Sequence, residues 1–393
     1  MSSNTNCPIQ LYNHNTIPKP QMNISIHPLV NNNSGNLPVT PPATPKQELT
    51  VSARLLMHHT LNTDFTQKYV LGQELGSGGF GFVVSAYEKK TGIERAVKFI
   101  IRKKVPSSAW VTDPEMGPIP MEIYTLKHVR HPNIIHYCDS YQDETYFYLV
   151  MELHGTQWVP PAPRTTTAIN NSPYSMHSPA LSQNSTSTID DDDDDDEQEQ
   201  EKGDQDLEVA ARQFVRRTSC DLFECIEQHK NFEEPLAKTI FRQIADCVAY
   251  LDCVGICHRD IKDENIVIDQ DYKVKLIDFG SSVILPRHSA TTKRKLFTRF
   301  YGTVSFASPE ILTSQPYRAE PAEIWSLGVL LFTLLFGEIP FPDSKSAVEG
   351  RIMKPKIHVS NQCKHLIYSL LDKNPEHRPT IHQVLTHPWL CEN

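Results

Sequence analysis

A chain of 393 residues has room for one large two-lobed domain or two to three ordinary ones, and its net charge of −9 argues against generic nucleic-acid binding, which needs basic surface. The run Asp190–Glu197 supplies eight of the negative charges, so the remainder is close to neutral. Hydrophobic residues make up 39 % of the chain, low for one folded throughout; with 29 prolines and Asn/Ser-rich stretches, folded and unstructured regions are expected to alternate.

The nine cysteines lack the paired spacing of a zinc site and read as reduced thiols. The N-terminus (MSSNTNCPIQ) has no basic-then-apolar leader, and the longest apolar stretch, Val329–Phe336, reads as a buried helix. The expectation is a soluble, monomeric, intracellular protein, cytoplasmic or also nuclear, with no membrane or nucleic-acid partner.

Residues 1–66 are rich in Asn, Pro, Ser and Thr and are expected to form an unstructured tail. Thr40-Pro41 and Thr44-Pro45 suit proline-directed phosphorylation, and an inert tail explains them equally well. Residues 67–154 change texture. Tyr69–Leu75, Phe82–Tyr87, Glu94–Ile101, Asn133–Cys138 and Thr145–Glu152 have the composition of strands, and Glu122–Val129 that of a helix. From 155 to 219 the hydrophobic period vanishes into Thr, Ser and poly-Asp runs, a low-complexity insertion within one domain, because regular patterning resumes beyond it. Over 220–393, Leu222–Gln228, Glu234–Cys253, Ala322–Phe336 and Cys363–Leu371 show helical spacing, with a hairpin-like stretch at Ile266–Ile277. The fold class is therefore α+β, a small mainly β lobe followed by a larger mainly helical one.

Gly76-Ser77-Gly78-Gly79-Phe80-Gly81-Phe82-Val83 lies between two expected strands. Alone, a GxGxxG match is as well explained by a flexible turn. A strand follows here instead of a helix, which suits a flap whose amides approach the phosphates of ATP. Ala96-Val97-Lys98 comes one hairpin later, at the distance from which an ammonium reaches the α- and β-phosphates; an isolated strand lysine is ordinarily solvated. Glu122, on the expected helix, is placed to pair with Lys98, although by itself it is an ordinary surface acid.

The decisive segment is His258-Arg259-Asp260-Ile261-Lys262-Asp263-Glu264-Asn265, whose polar residues make a poor core strand between apolar runs. Asp260 can accept the proton of an attacking hydroxyl, Lys262 can neutralise charge on a transferring phosphoryl group, and Asn265 offers a hard oxygen to Mg²⁺. Asp278-Phe279-Gly280 follows after a short strand, with Asp278 as a second magnesium ligand. Each motif alone is a chance match; the ordered set is not.

In this order the motifs resemble the eukaryotic protein kinase signature over roughly Tyr69 to Leu390, insertion excepted. The resemblance implies a two-lobed kinase fold, ATP and Mg²⁺ as cofactors, Met151 as gatekeeper, Glu152–His154 as hinge, and Val267 and Asp221 against the nucleotide. Lys262 resembles the serine/threonine class. Ala109–Pro114, Leu149–Gly155, Arg259–Ile268, Lys275–Ser281 and Pro316–Arg318 are similar to the catalytic domain of PAS-domain kinases, implying nutrient or metabolic signalling. No PAS domain is apparent in the polar residues before Tyr69, so a catalytic-domain-only or truncated form is expected.

Several positions depart from the wider family. Ala-Pro-Glu appears as Ser308-Pro309-Glu310, with Glu310 still able to pair with Arg378. Glu323 replaces the usual Asp that braces the catalytic loop, as in PAS-domain kinases. Arg299 occupies the usual activation-loop acceptor position beside Thr298, so activity is expected not to depend on phosphorylation there. By the same resemblance, Asp221 with Glu264 implies protein substrates with a basic residue three before the Ser or Thr, and Thr333 implies weak demand two before it. Arg216-Arg217-Thr218-Ser219 fits that motif in cis, making Ser219 a candidate autophosphorylation site; a basic cluster offsetting nearby acids is the plainer reading. The chief rival function is a pseudokinase scaffold, which would be expected to damage Lys98, Asp260, Asn265 or Asp278; all four are intact.

Overall fold

The computed structural model describes residues 49–158, 217–285 and 295–391. The Thr-Pro pairs, the poly-Asp run and Arg216 lie outside the described residues.

The first lobe is built on five antiparallel strands: β1 (Tyr69–Ser77), β2 (Gly81–Glu88), β3 (Glu94–Ile101), β6 (Tyr137–Gln142) and β7 (Tyr146–Glu152), in the order β1-β2-β3-β7-β6. β7 is buried from Tyr146 to Met151, as expected of an apolar strand flanked on both sides. Between β3 and the helix α3 (Met121–His128), the chain forms a hairpin, β4 (Trp110–Asp113) and β5 (Gly117–Pro120), that the sequence reading missed. Its turn needs Gly117 at φ +73°, and the buried Asp113 carboxylate accepts the N–H groups of Glu115 and Met116, both at 3.0 Å.

Two corrections concern this lobe. The tail assigned to residues 1–66 is too long, because residues 51–56 and 63–68 form helices α1 (Val51–Leu56) and α2 (Thr63–Lys68). Thr50 and Asn62 cap them, and Leu56 and Phe65, both 0 % exposed, pack into a cluster with Phe82, Phe99 and Tyr148. Two isolated apolar side chains leave no period to read. The strand expected at Asn133–Cys138 begins later, at Tyr137. Asn133 and Ile135 are instead bonded to the second lobe: Leu276 N–H donates to Asn133 O (2.8 Å) and Ile135 N–H to Leu276 O (3.0 Å).

The second lobe contains α4 (Leu222–His229), α5 (Glu234–Cys253), the short strands β8 (Ile256–Cys257), β9 (Ile266–Ile268), β10 (Val274–Leu276) and β11 (Val283–Ile284), then α6 (Pro309–Leu312), α7 (Ala319–Phe336), α8 (Ser344–Glu349), α9 (Asn361–Leu370), α10 (Ile381–Leu385) and α11 (Pro388–Cys391). α7 starts three residues earlier than its apolar pattern, and its 18 residues are long and apolar enough to cross a membrane. That window is 78 % buried inside the lobe, with Trp325 stacked on Phe341, so α7 is its core helix. It ends at Gly337 (φ +71°), where a Cβ would lie 1.8 Å from Lys230 O.

The insertion is also narrower than 155–219 at its described ends. Trp158 packs edge-on against His229, and Arg217 is anchored to the first lobe.

Candidate active site

β3 places Lys98 opposite Val83 on β2 and Leu149 on β7, so its ammonium leaves the sheet at a fixed height. Its Nζ meets Glu122 Oε1 at 2.7 Å and Asp278 Oδ1 at 2.8 Å, which closes α3 onto the sheet. Desolvation opposes the charge on Lys98, but Asp278 and Glu122 outweigh it and raise the pKa. Burial pushes the Glu122 carboxyl up to about 7 despite Lys98. Desolvation would also raise Asp278, yet Lys98 and the Gly280 N–H hold it at about 2. Asp278 is thus a fixed anion, and its side chain remains 42 % exposed.

The catalytic loop surrounds Asp260 with donors. Asn265 Nδ2 donates to Asp260 O (2.8 Å) and Asp260 Oδ2 (3.0 Å), while Thr303 donates its N–H (3.0 Å) and hydroxyl (3.1 Å) to Oδ1. His258, fully buried, donates Nε2–H to Ile277 O (2.9 Å) and accepts the Asp260 N–H at Nδ1 (3.3 Å). Its ring lies edge-on to Phe279, linking the loop of Asp260 to that of Asp278. Burial lowers the His258 pKa, consistent with this neutral tautomer. Lys262 is paired with Glu264; burial opposes its charge, but Asp260 and Glu264 raise its pKa.

Asn265 spends both amide hydrogens on Asp260, leaving its carbonyl oxygen as a ligand atom, and Asp278 offers Oδ2. Two hard oxygens fit Mg²⁺, which otherwise takes water and phosphate oxygens. Among the described residues no group of three or more His, Cys, Asp or Glu side chains forms a separate metal site.

The glycine loop is closed by Gly78 N–H to Gly81 O (2.8 Å). A Cβ at Gly76 or Gly78 would meet nothing within 4 Å, whereas one at Gly81 would lie 1.8 Å from Phe99 O. The first two leave open space for a ligand; Gly81 is required by the β2–β3 approach. Ser77 ends β1, and Gly79 and Phe80 lie between β1 and β2. Ala96 pairs with Met151 across β3 and β7, and Asp221 bridges to Val267. Two hinge side chains turn elsewhere: Glu152 accepts His136 N–H (2.7 Å) and pairs with Lys275 (2.8 Å), and His154 donates to Lys273 O (2.9 Å). Both side chains are thus engaged by other parts of the protein.

Glu323 holds the loop at Arg259, as expected, but the sequence reading missed the aromatic surroundings of this arginine. This residue sits at φ +68°, its N–H held by Glu323 Oε2 (2.7 Å). Burial raises the Glu323 carboxyl to about 7 against those backbone donors. The Arg259 guanidinium donates to Arg299 O (2.8 Å) and Tyr317 Oη (2.6 Å) and stands 4.5 Å from the Phe297 ring centre, 5.8 Å from that of Tyr301 and 5.9 Å from that of Tyr317. Aromatic residues clustered at 297–301 were the available signal; Thr303 had none beyond its place after Gly302. Glu310 and Arg378 form the expected pair, bidentate at 2.7 and 2.8 Å.

Comparison with known proteins agrees with this geometry. The family described as protein kinase domain matches residues 69–170 and 211–390. The chain belongs to the protein kinase domain family. It is 36 % identical over 329 residues to the PAS domain-containing serine/threonine-protein kinase of Mus musculus, covering 84 % of this chain and 19 % of that protein. It is 31 % identical over 327 residues to serine/threonine-protein kinase PSK1 of Saccharomyces cerevisiae, covering 82 % and 19 %. Serine/threonine-protein kinase pim-2 of Danio rerio is 30 % identical over 342 residues, 84 % of this chain and 86 % of that one. The chain spans about a fifth of the length of the first two relatives. The family assignment agrees with the two-lobed kinase fold, with the helix glutamate paired to its lysine.

Proposed function

We propose that this chain transfers the γ-phosphoryl group of ATP to serine or threonine hydroxyls of proteins carrying Arg or Lys three residues before the acceptor. The observation that carries the reading is the assembled Asp260, fixed by Asn265 and Thr303 while Lys98 is clamped between Glu122 and Asp278. Lys98 orients the α- and β-phosphates, and Lys262 balances negative charge at the transferring group. Asp260 aligns the acceptor hydroxyl and takes its proton. Bound Mg²⁺, held at Asn265 and Asp278, supplies charge neutralisation between the phosphates. The acidic face of Asp221 and Glu264 suits the basic residue, whereas Thr333 spends its hydroxyl on Val329 O and offers no charge.

Purified chain with Mg-ATP and an Arg-x-x-Ser peptide should release ADP and label the serine, and Asp260→Ala should abolish both. Nucleotide binding without turnover would favour a pseudokinase scaffold. Preference for acidic or proline-directed peptides would overturn the specificity. A place in nutrient signalling rests on the resemblance to PAS-domain kinases; substrate phosphorylation in cells unchanged by nutrient supply would remove it.

The Arg259 arrangement supports activity without activation-loop phosphorylation, because aromatic rings and a carbonyl occupy the guanidinium that a phosphate would otherwise neutralise.

A further inference from the structure

Residues 217–221 form a strap from the first lobe to the N-cap of α4. Arg217 N–H donates to Glu74 O on β1 (2.8 Å), two residues before Gly76, and the Arg217 guanidinium meets Glu94 on β3 at 3.1 Å. Cys220 O accepts Ile268 N–H at 3.0 Å. Ser219 donates its hydroxyl to Asp221 Oδ2 at 2.5 Å, while Asp221 Oδ1 caps α4 at Glu224 N–H (2.8 Å). One five-residue segment thus ties the root of the glycine loop to the carboxylate assigned to the nucleotide and the basic peptide.

We propose that Ser219 is a phosphorylation site, modified in trans by a second copy of this chain, and that phosphoserine releases the strap and weakens binding of ATP and arginine-bearing peptides. The proposal rests on the specificity read above, since Ser219 follows Arg216 by three residues. In the step, Ser219 Oγ bonds to the γ-phosphorus of ATP as the bridging β–γ P–O bond breaks. ADP leaves, and the hydroxyl proton passes to Asp260 of the acting copy.

The docked strap is incompatible with the product. The Ser219 hydroxyl is a donor to a carboxylate; a phosphoryl group there carries acceptors only and about −1.5 to −2 charges. Glu264 adds negative potential at Asp221, and burial already disfavours the charged form of that carboxylate. Lys262 is already paired with Glu264 and Arg217, through one guanidinium nitrogen, with Glu94. Binding to an acting copy requires Arg217 to leave Glu94 and Glu74, so modification selects the undocked strap and the phosphate prevents its return. Because the strap holds β1 beside Gly76, both nucleotide and peptide sites lose their arrangement.

The test uses the full chain. Active enzyme, Mg-ATP and Asp260→Asn chain as substrate should yield phosphate on Ser219 of the variant by mass spectrometry, and Arg216→Ala in that variant should abolish it. Phosphorylated enzyme and Ser219→Glu, each compared with phosphatase-treated enzyme, should show about tenfold higher KM for ATP and for an Arg-x-x-Ser peptide, a change of about 1.4 kcal/mol. Ser219→Ala, which removes one hydrogen bond and adds no charge, should remain within about threefold of wild type. Melting curves establish that the variants fold. An unmodified Ser219 in enzyme that labels the peptide would overturn the proposal and leave the kinase reading standing. Unchanged KM values after modification, or a Ser219→Ala effect equal to that of Ser219→Glu, would overturn it as well.

Discussion

Thr303 donates both its N–H and its hydroxyl to one oxygen of Asp260, at 3.0 and 3.1 Å, across 43 residues of sequence. This fixes the carboxylate plane and ties the end of the activation segment to the catalytic loop. Thr303→Val keeps the backbone donor and loses the hydroxyl. Its kcat should fall about tenfold with KM for ATP unchanged, and Thr303→Ser should restore most of it. Steady-state kinetics decide; equal kcat in Thr303→Val and wild type would remove this role.

The clamp on Lys98 should make the proposed activity pH-dependent. Glu122 titrates near 7, raised by burial, so it is largely protonated below that pH and its charge pairing with Lys98 is lost. As pH rises through about 7 the carboxylate forms and the pairing returns. The value of kcat/KM for ATP should therefore climb across this range, with no further acidic limb from Asp278, whose pKa is held at about 2. Glu122→Gln should be slow and should lack the limb near 7. A limb of the same size in that variant would assign it to another group.

Arg259 is held without phosphate by Tyr317, Arg299 O and three aromatic rings, although its buried Nε has no hydrogen-bond partner among the described residues. Thr298→Ala should leave kcat/KM within twofold, and so should phosphatase treatment in a Ser219→Ala background, where the strap cannot be modified. Tyr317→Phe removes the acceptor of the Arg259 bond and the donor to Arg299 O, and should lower kcat/KM about five- to tenfold. A large loss in Thr298→Ala beside an unaffected Tyr317→Phe would reverse the assignment.

Helices α1 and α2 are part of the folded domain. Leu56→Ala should cost about 2–5 kcal/mol and Phe65→Ala about 3–5 kcal/mol, lowering the melting temperature by several degrees. Leu55→Ala, at a side chain 41 % exposed, should change little. Scanning calorimetry checks this; a wild-type melting temperature for Phe65→Ala would detach α2 from the sheet.

What could be read from the linear chain was chemistry and regular repetition. The ordered phrases around Lys98, Asp260, Asn265 and Asp278 suggested the roles proposed for them because each such role needs a particular side chain at a short, local spacing. The helices α5 and α7 were legible because many apolar residues repeat over 20 and 18 positions. Tertiary structure decided the rest. Ser52 N–H and hydroxyl both bond Glu74 across 22 residues, Arg259 reaches Tyr317 across 58, and Asn133 leaves the expected strand for Val274 across 141. The partners in such contacts are brought together only by the packed chain, and no local period or propensity encodes which distant donor meets which acceptor.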